Sequence, residues 1–456
     1  MKYFFDPTII REYDIRGIYG DTLKKDDAKI IGHIFGLSLK KNKTVNICCD
    51  GRKSSQPLKE RLIEGLSEVG CNIIDIGIGP TPMLYYSNFL NNSEAGIMIT
   101  GSHNPPSHNG FKIVKNKMSF FGDDLKRLAK SAENYDFIKK KSFVKKKNIE
   151  NLYVNLLIKN LNQVKKLNIV WDAGNGSAGN VMKKIAQHIK GKRILLYEDI
   201  DGDFPNHHPD PSDPATLKDL IKSVKHNNMD LGIAFDGDGD RIGVVDNQGN
   251  IIPGDLLLLL LGVDVLKKKK GACIIGDVKC SQVLFDEIKK IGGRPIMSKT
   301  GHSLIKDCMK KESADLAGEM SGHIFFADDY YGFDDALYAS IRLLNILSSS
   351  KKKLSELMLQ FPKLYNTPEI RINCEEKEKF KIIEQIITNQ KKNNYSAIDG
   401  IRVKCEQGWW LMRASNTQAA IVLRCEANTA EGLSTMKDTV KEELKRVKPE
   451  LVQQIT

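Results

Sequence analysis

The chain has 456 residues, 41% hydrophobic and 28% charged, with a formal net charge of +12. At roughly 150 residues per domain this length allows about three compact units, each able to bury its own core. The composition excludes a collagen-like or low-complexity polymer and a disulfide miniprotein, whereas the basic balance admits a nucleic-acid binder, a membrane-surface protein or an enzyme for anionic substrates.

From the N-terminus, MKYFFDPTIIREYDIRG meets Asp6 before any apolar run forms, which makes a poor secretion signal. VNICCDGR (45–52) predicts a strand ending at Asp50, followed by a helix, the strand CNIIDIG (71–77) and AGIMITGSHNP (95–105). The lysine-rich KKKSFVKKKN (139–148) reads as a solvated linker edge. NIVWDAGNG (168–176), RILLYED (193–199) and DLGIAFDGDGDR (230–241) then repeat the order of the first third. ACIIGDVKCS (272–281), GRPIMSKTGHS (293–303) and ADLAGEMSGH (314–323) repeat it again. Each third runs strand to acidic turn, helix, strand, then strand to polar loop, as βαβ units do. The apolar run from Leu256 to Val263 is too short to span a bilayer. The last segment differs: 400–427 reads as strand, loop, strand, with a helix through TMKDTVKEELKRV. These shifts place boundaries between 1–147, 148–250, 251–362 and 363–456.

The nine cysteines are scattered, odd in number and without a CxxC pair, which predicts reduced thiols and a cytoplasmic protein.

Open α/β sheets bind ligands at the carboxyl ends of strands. In each third the last strand ends in the most unusual loop, so three loops are expected to face one cleft. Asp236-Gly237-Asp238-Gly239-Asp240-Arg241 places three carboxylates two residues apart, with glycines that let the backbone bend around one hard cation. Calcium in an EF-hand would need glycine and glutamate where Arg241 and Asn247 stand. The pattern therefore favours Mg²⁺ sharing its shell with a phosphate oxygen. Ser102, in Thr100-Gly101-Ser102-His103-Asn104-Pro105-Pro106, lies outside any G-x-S-x-G elbow. A serine beside Mg²⁺ suits phosphoryl transfer, although the motif alone is an ordinary polar turn. In Gly318-Glu319-Met320-Ser321-Gly322-His323, Glu319 and Ser321 suit sugar hydroxyls and His323 suits acid–base work. Arg413-Ala414-Ser415-Asn416-Thr417 offers a guanidinium, two hydroxyls and an amide, a cradle for phosphate. A competing signal is Gly174-Asn175-Gly176-Ser177-Ala178-Gly179, which fits G-x-G-x-x-G with Glu198 about 20 residues on. Because the equivalent strand–acid turns of the other two thirds lack these glycines, it reads as a tight turn, with a nicotinamide-dependent dehydrogenase kept as an alternative. No aromatic-interleaved basic motif supports nucleic-acid binding.

Taken together, TGSHNPPSHNGFKI, DGDGDRIG, GEMSGH and RASNTQ, in this order, resemble the α-D-phosphohexomutases, closest to their phosphomannomutase/phosphoglucomutase branch. The resemblance runs from REYDIRG (11–17) to about residue 418. It implies an α/β fold of three related mixed-sheet domains and a distinct C-terminal α+β domain around a deep cleft. It further implies a cytoplasmic, Mg²⁺-dependent enzyme that interconverts hexose 6- and 1-phosphates of mannose or glucose through a phosphoserine and a hexose 1,6-bisphosphate. Ser102 matches the phosphoryl carrier, and Asp236, Asp238 and Asp240 match metal ligands, joined by the phosphorylated Ser102. Arg16, Lys112 and His323 match acid–base helpers. Tyr13, Arg241, Lys279, His302, Glu319, Ser321, Arg413, Ser415, Asn416 and Thr417 match substrate-binding positions. A phosphoglucosamine mutase is the nearer alternative, and Met320 favours the mannose/glucose branch. The expected partner is a small phosphosugar, with no nucleic acid or membrane, for a monomer or weak homo-oligomer.

Overall fold

A computed structural model describes residues 1–40, 43–136, 139–390, 394–416 and 418–455. Four sheets follow one another along the chain. In the first, strands Asn72–Ile78, Thr44–Cys49 and Ala95–Ile99 run parallel, and His108–Lys115 closes the set antiparallel. The second repeats this with Arg193–Leu196, Ile169–Asp172, Leu231–Phe235 and antiparallel Ile242–Asp246. The third does so with Arg294–Ser298, Cys273–Asp277, Leu316–Gly318 and antiparallel Ile324–Phe326. The expected triplication is therefore present strand for strand, in mixed sheets.

The strands form because their residues are apolar on both faces. Leu231–Phe235 and Cys273–Asp277 are buried throughout, as strands covered by helices on two sides must be. The run expected to be too short for a membrane lies within the helix Gly254–Lys268, whose leucines enter the core. No helix among the described residues is long and apolar enough to cross a membrane.

Two expectations change. Within the lysine-rich 139–148 segment, Val144–Lys146 is an exposed edge strand parallel to Asn72–Ile78. Lysines are suited to such an edge because they discourage further pairing. The C-terminal segment holds three successive strands where two were expected: Ile401–Lys404, Gly408–Ala414 and Ala420–Ala427. They form an antiparallel meander, covered by the helix Ala430–Val447. The extra strand escaped notice because Glu406-Gln407-Gly408 is a short polar break in one apolar stretch.

One apolar core runs through the first three units, with Met98, Trp171, Leu258 and Phe326 among its members. The last unit has its own core around Trp410, Leu423 and Val440.

Candidate active site

The three divergent loops emerge at equivalent points. Ser102 follows Ala95–Ile99, Asp236 follows Leu231–Phe235, and Glu319 follows Leu316–Gly318. A common strand position in a repeated fold brings distant sequence to one cleft.

Ser102 is buried and takes φ +50°, a left-handed conformation uncommon outside glycine. Its loop is held rigidly enough to sustain it. The Thr100 hydroxyl donates to Asp50 Oδ2 at 2.8 Å and accepts from Ser102 N at 2.8 Å. The buried Arg52 guanidinium donates to the carbonyls of Ser102 (2.7 Å), Asn104 (2.6 Å), Pro105 (2.5 Å) and His108 (3.1 Å), and to Asp50 Oδ2 (3.1 Å). Gly237 packs against the same loop, and a Cβ there would stand 2.4 Å from the Ser102 carbonyl oxygen.

Ser102 Oγ donates to Asp236 Oδ2 at 2.9 Å. Asp236, Asp238 and Asp240 are fully buried, and one oxygen of each lies within 4.8 Å of the others. Lys112 Nζ donates to Asp238 Oδ2 (2.7 Å) and Asp240 Oδ2 (2.5 Å), and Thr81 Oγ1 also donates to Asp238 Oδ2. Burial, then Asp238 and Asp240, push Asp236 well above the usual carboxylate range. Burial opposes ionisation of Asp238 too, but Lys112 outweighs it and holds that group low. Asp238 Oδ1 and Asp240 Oδ1 are buried with no hydrogen-bond partner. Three carboxylates facing one ammonium, with two orphaned oxygens, fit a hard divalent cation, which would balance charge that is costly to bury.

His323 accepts a hydrogen bond at Nε2 from Arg241 Nε, 3.0 Å away. Its neutral ring must then carry the proton on Nδ1. That nitrogen faces Asp334 Oδ2 (3.3 Å) and Asp240 Oδ1 (3.6 Å). His323 Nδ1, Asp334 Oδ2 and Asp240 Oδ1 lie close together but make no hydrogen bond to one another. His302 stacks on His323 with ring centroids 5.7 Å apart. Burial and the neighbouring Lys306 hold His302 well below the usual histidine range. Glu319 Oε1 accepts from Gly301 N at 2.6 Å, and burial pushes its carboxyl above the usual glutamate range. Ser321 is partly exposed on the turn between Glu319 and His323. Arg16 pairs with Asp14 and donates to Asn104 Oδ1 (3.2 Å) on the Ser102 loop.

At the other end, Arg413 is buried and its Nε donates to Asp399 Oδ2 at 2.8 Å. The same oxygen accepts from Thr300 N at 3.1 Å. Tyr13 OH donates to the Thr300 carbonyl (2.6 Å) and accepts from Asn416 Nδ2. Ser415 precedes Asn416, and its Oγ accepts from Gln418 N at 3.2 Å. Lys279 Nζ donates to Glu369 Oε2 at 3.0 Å, and this cation pushes Glu369 down to about 2. Thr417 lies outside the described residues.

Most of the expected residues thus form two connected groups. Ser102, Lys112, the three aspartates, Arg241, His323 and His302 make one; Tyr13, Arg413 and Asn416 make the other, with Glu319 reaching between them through Gly301. Six contributors escaped the sequence reading: Arg52, Thr81, Lys306, Asp334, Glu369 and Asp399. Arg52 carried a signal, since it follows a strand-ending acid in the repeated position; the rest sit at unremarkable places in the chain.

The glycine motif does different work. Gly174 and Asn175 take φ +51° and +60°. Cβ atoms on Gly174, Gly176 and Gly179 would meet His207, the Asp236 carbonyl and the Glu198 carbonyl. Protein backbone and side chains fill the space a pyrophosphate would need, so these glycines serve packing.

A triplicated α/β unit and a differently built fourth domain, meeting at a serine among three carboxylates, follow the plan of the α-D-phosphohexomutases. Family models for phosphoglucomutase/phosphomannomutase match in succession: alpha/beta/alpha domain I over residues 7–139, domain II over 147–249, domain III over 253–365 and the C-terminal domain over 369–443. The chain is 44% identical over 444 residues to the phosphomannomutase/phosphoglucomutase of Pseudomonas aeruginosa, covering 96% of each. It is 40% identical over 441 residues to a phosphoglucomutase of Neisseria gonorrhoeae, covering 95% of this chain and 96% of that one. A crystal structure of a phosphoglucomutase/phosphomannomutase family protein from Burkholderia thailandensis matches with a TM-score of 0.92 at 38% identity, covering 98% of this chain and 99% of that one. The chain belongs to the phosphoglucomutase/phosphomannomutase family. It is an isomerase of the phosphotransferase kind, acting on hexose phosphates.

Proposed function

We propose that this enzyme interconverts the 6- and 1-phosphates of mannose and glucose, with Ser102 as phosphoryl carrier and four units bounded at 147, 250 and 362. The carrying observation is the Ser102 hydroxyl 2.9 Å from Asp236, at the edge of the buried carboxylate triad. Asp236, Asp238 and Asp240 would hold Mg²⁺, which when bound offsets the negative charge of the transferring phosphoryl group.

Phosphorylated Ser102 gives its phosphoryl group to the free hydroxyl of a hexose monophosphate. The P–O bond to Ser102 breaks as the bond to the sugar oxygen forms, and the sugar hydroxyl loses its proton. The 1,6-bisphosphate turns within the cleft, and its other phosphoryl group passes to Ser102, regenerating the phosphoserine and reprotonating the sugar oxygen. Proton handling falls to Arg16, Lys112 and His323. Lys112 also brings positive charge where the phosphoryl group is exchanged. Arg413, Ser415, Asn416, Thr417 and Lys279 hold the phosphate that is not reacting, and must accept it at C1 or C6. Glu319 and Ser321 take sugar hydroxyls that fall in similar places in both orientations, while Tyr13, Arg241 and His302 shape the walls.

The test is Ser102→Ala with the purified enzyme and a 1,6-bisphosphate primer. Turnover should fall by at least about a thousandfold, as for loss of a covalent nucleophile. Intact-mass measurement should show one phosphoryl adduct on the native chain and none on the variant. Near-normal turnover in the variant would remove Ser102 from the reaction.

A further inference from the structure

A cavity of about 430 Å³ lies where the first and third units meet, behind His302 and His323. Helix Thr81–Leu90, the hairpin of His108–Lys115 and Met118–Ser119, helix His302–Glu312 and the loop before Asp334 form its walls. Its size suits a small molecule. Lys306 and Tyr85 stand between it and the chemistry: Lys306 Nζ bonds Asp334 Oδ1 (2.9 Å), lies 3.3 Å from His302 Nδ1 and sits 4.3 Å from the Tyr85 ring centre.

Two features define what the cavity would hold. One wall is aromatic: Phe89 packs on Tyr331 at 4.6 Å, and Tyr331 stacks parallel to Phe333 at 5.8 Å. The other feature is uncompensated positive charge. Four lysines line the cavity. Lys269 is neutralised by Asp315 (2.6 Å) and Lys306 by Asp334. Lys117 and Lys310 have no carboxylate partner among the described residues. Lys117 Nζ rests 4.7 Å from the Phe89 ring centre, and Lys310 Nζ rests 3.4 Å from Met118 Sδ. A ring face and a thioether are weak partners for ammonium groups, and both cations are free to meet an anion.

We infer that this cavity is a binding site, separate from the phosphosugar cleft, for a flat aromatic acid bearing a carboxylate or sulfonate. Its rings would lie on Phe89, Tyr331 and Phe333, where aromatic faces attract through area and quadrupole. Its anionic group would meet Lys117 and Lys310. A phosphosugar matches poorly, because its hydroxyls would lose water against an apolar wall.

The probe is 8-anilinonaphthalene-1-sulfonate, titrated by fluorescence into the full-length enzyme with saturating glucose 1-phosphate present to fill the catalytic cleft. One saturable equivalent per chain is expected. Lys117→Glu combined with Lys310→Glu should weaken binding about tenfold, the effect of reversing two nearby charges at a partly exposed site. Phe89→Ser should weaken it while leaving both lysines in place. The lysines are exposed and outside the catalytic machinery, so mutase turnover should persist and report an intact fold. Absence of saturable binding, an unchanged affinity in the double variant, or complete displacement by glucose 1-phosphate would each overturn the assignment.

Discussion

Arg52 commits all five of its N–H donors to the Ser102 loop and to Asp50 beneath it. Phe204 of the second unit covers its guanidinium at 5.0 Å. A lysine carries the same charge but presents three donors from one point, and it cannot bridge four carbonyls in a plane. Arg52→Lys should therefore let the loop shift without disturbing Arg413 or Lys279. We expect kcat to fall by about a hundredfold, the scale of a 1 Å misplacement, with KM changed less than threefold. Steady-state kinetics settle this, and equal changes in the two constants would refute a positioning role. At this scale the charged cleft residues were legible in sequence because chemistry demanded unusual neighbours: three acids spaced by glycine, or Arg, Ser and Asn in one turn. Asp334 and Lys306 were not, since each is a single charged residue whose meaning comes from a fold-made contact with His323 or His302.

The turn at 201–212 shows how an element depends on one titrating contact. His207 Nε2 lies 3.0 Å from Asp172 Oδ2, and its Nδ1 lies 2.9 Å from the His208 carbonyl. Burial alone would disfavour the charged ring, but the bond to Asp172 outweighs it and raises the histidine above 6.5. A raised histidine stabilises the fold fully below its unfolded value and loses that contribution as pH rises through the folded value. The thermal midpoint of the native enzyme should thus exceed that of His207→Gln most at pH 6, with the gap narrowing by pH 8.5. Calorimetry across that range checks it, and a gap independent of pH would exclude the charged pair. Elements were the most legible part of the sequence. Strands buried on both faces leave continuous apolar runs, and the threefold order made each run support the next. The glycine motif reads in sequence as a tight turn, and the structure agrees: G-x-G-x-x-G reports only that backbone must come close, and here the approaching partners are His207, Asp236 and Glu198.

Across the whole molecule, one apolar core runs through the first three units, the first also has a separate core around Ile34, Ile73 and Phe111, and the fourth has its own. The fourth rests on the third through Val278, Trp409 and Leu411, and through Arg402, which donates to the carbonyls of Val278 (2.7 Å) and Cys280 (2.9 Å). It reaches the first through Asn416 and the Tyr13 hydroxyl. Tyr13→Phe removes both bonds of that hydroxyl, each worth about 1 kcal/mol. Small-angle scattering should show a larger radius of gyration, and KM for the phosphosugar should rise by roughly tenfold. An unchanged radius with raised KM would instead make Tyr13 a simple substrate contact. This arrangement was illegible in sequence, since Tyr13 and Asn416 stand at opposite ends of the chain and nothing local marks either as a bridge.

The unequal seams give the molecule welded joints among the first three units and between the third and fourth, and one latch between the fourth and the first. Opening a joint of packed hydrocarbon exposes apolar surface to water, whereas parting Tyr13 from Asn416 exchanges a hydrogen bond for two with solvent. The latch can therefore be released at little cost while the welded arc keeps Ser102, the carboxylate triad and Glu319 in register. The proposed sugar bisphosphate, turning end over end, would need room on one side only, and the molecule yields on the side that carries Arg413 and Asn416.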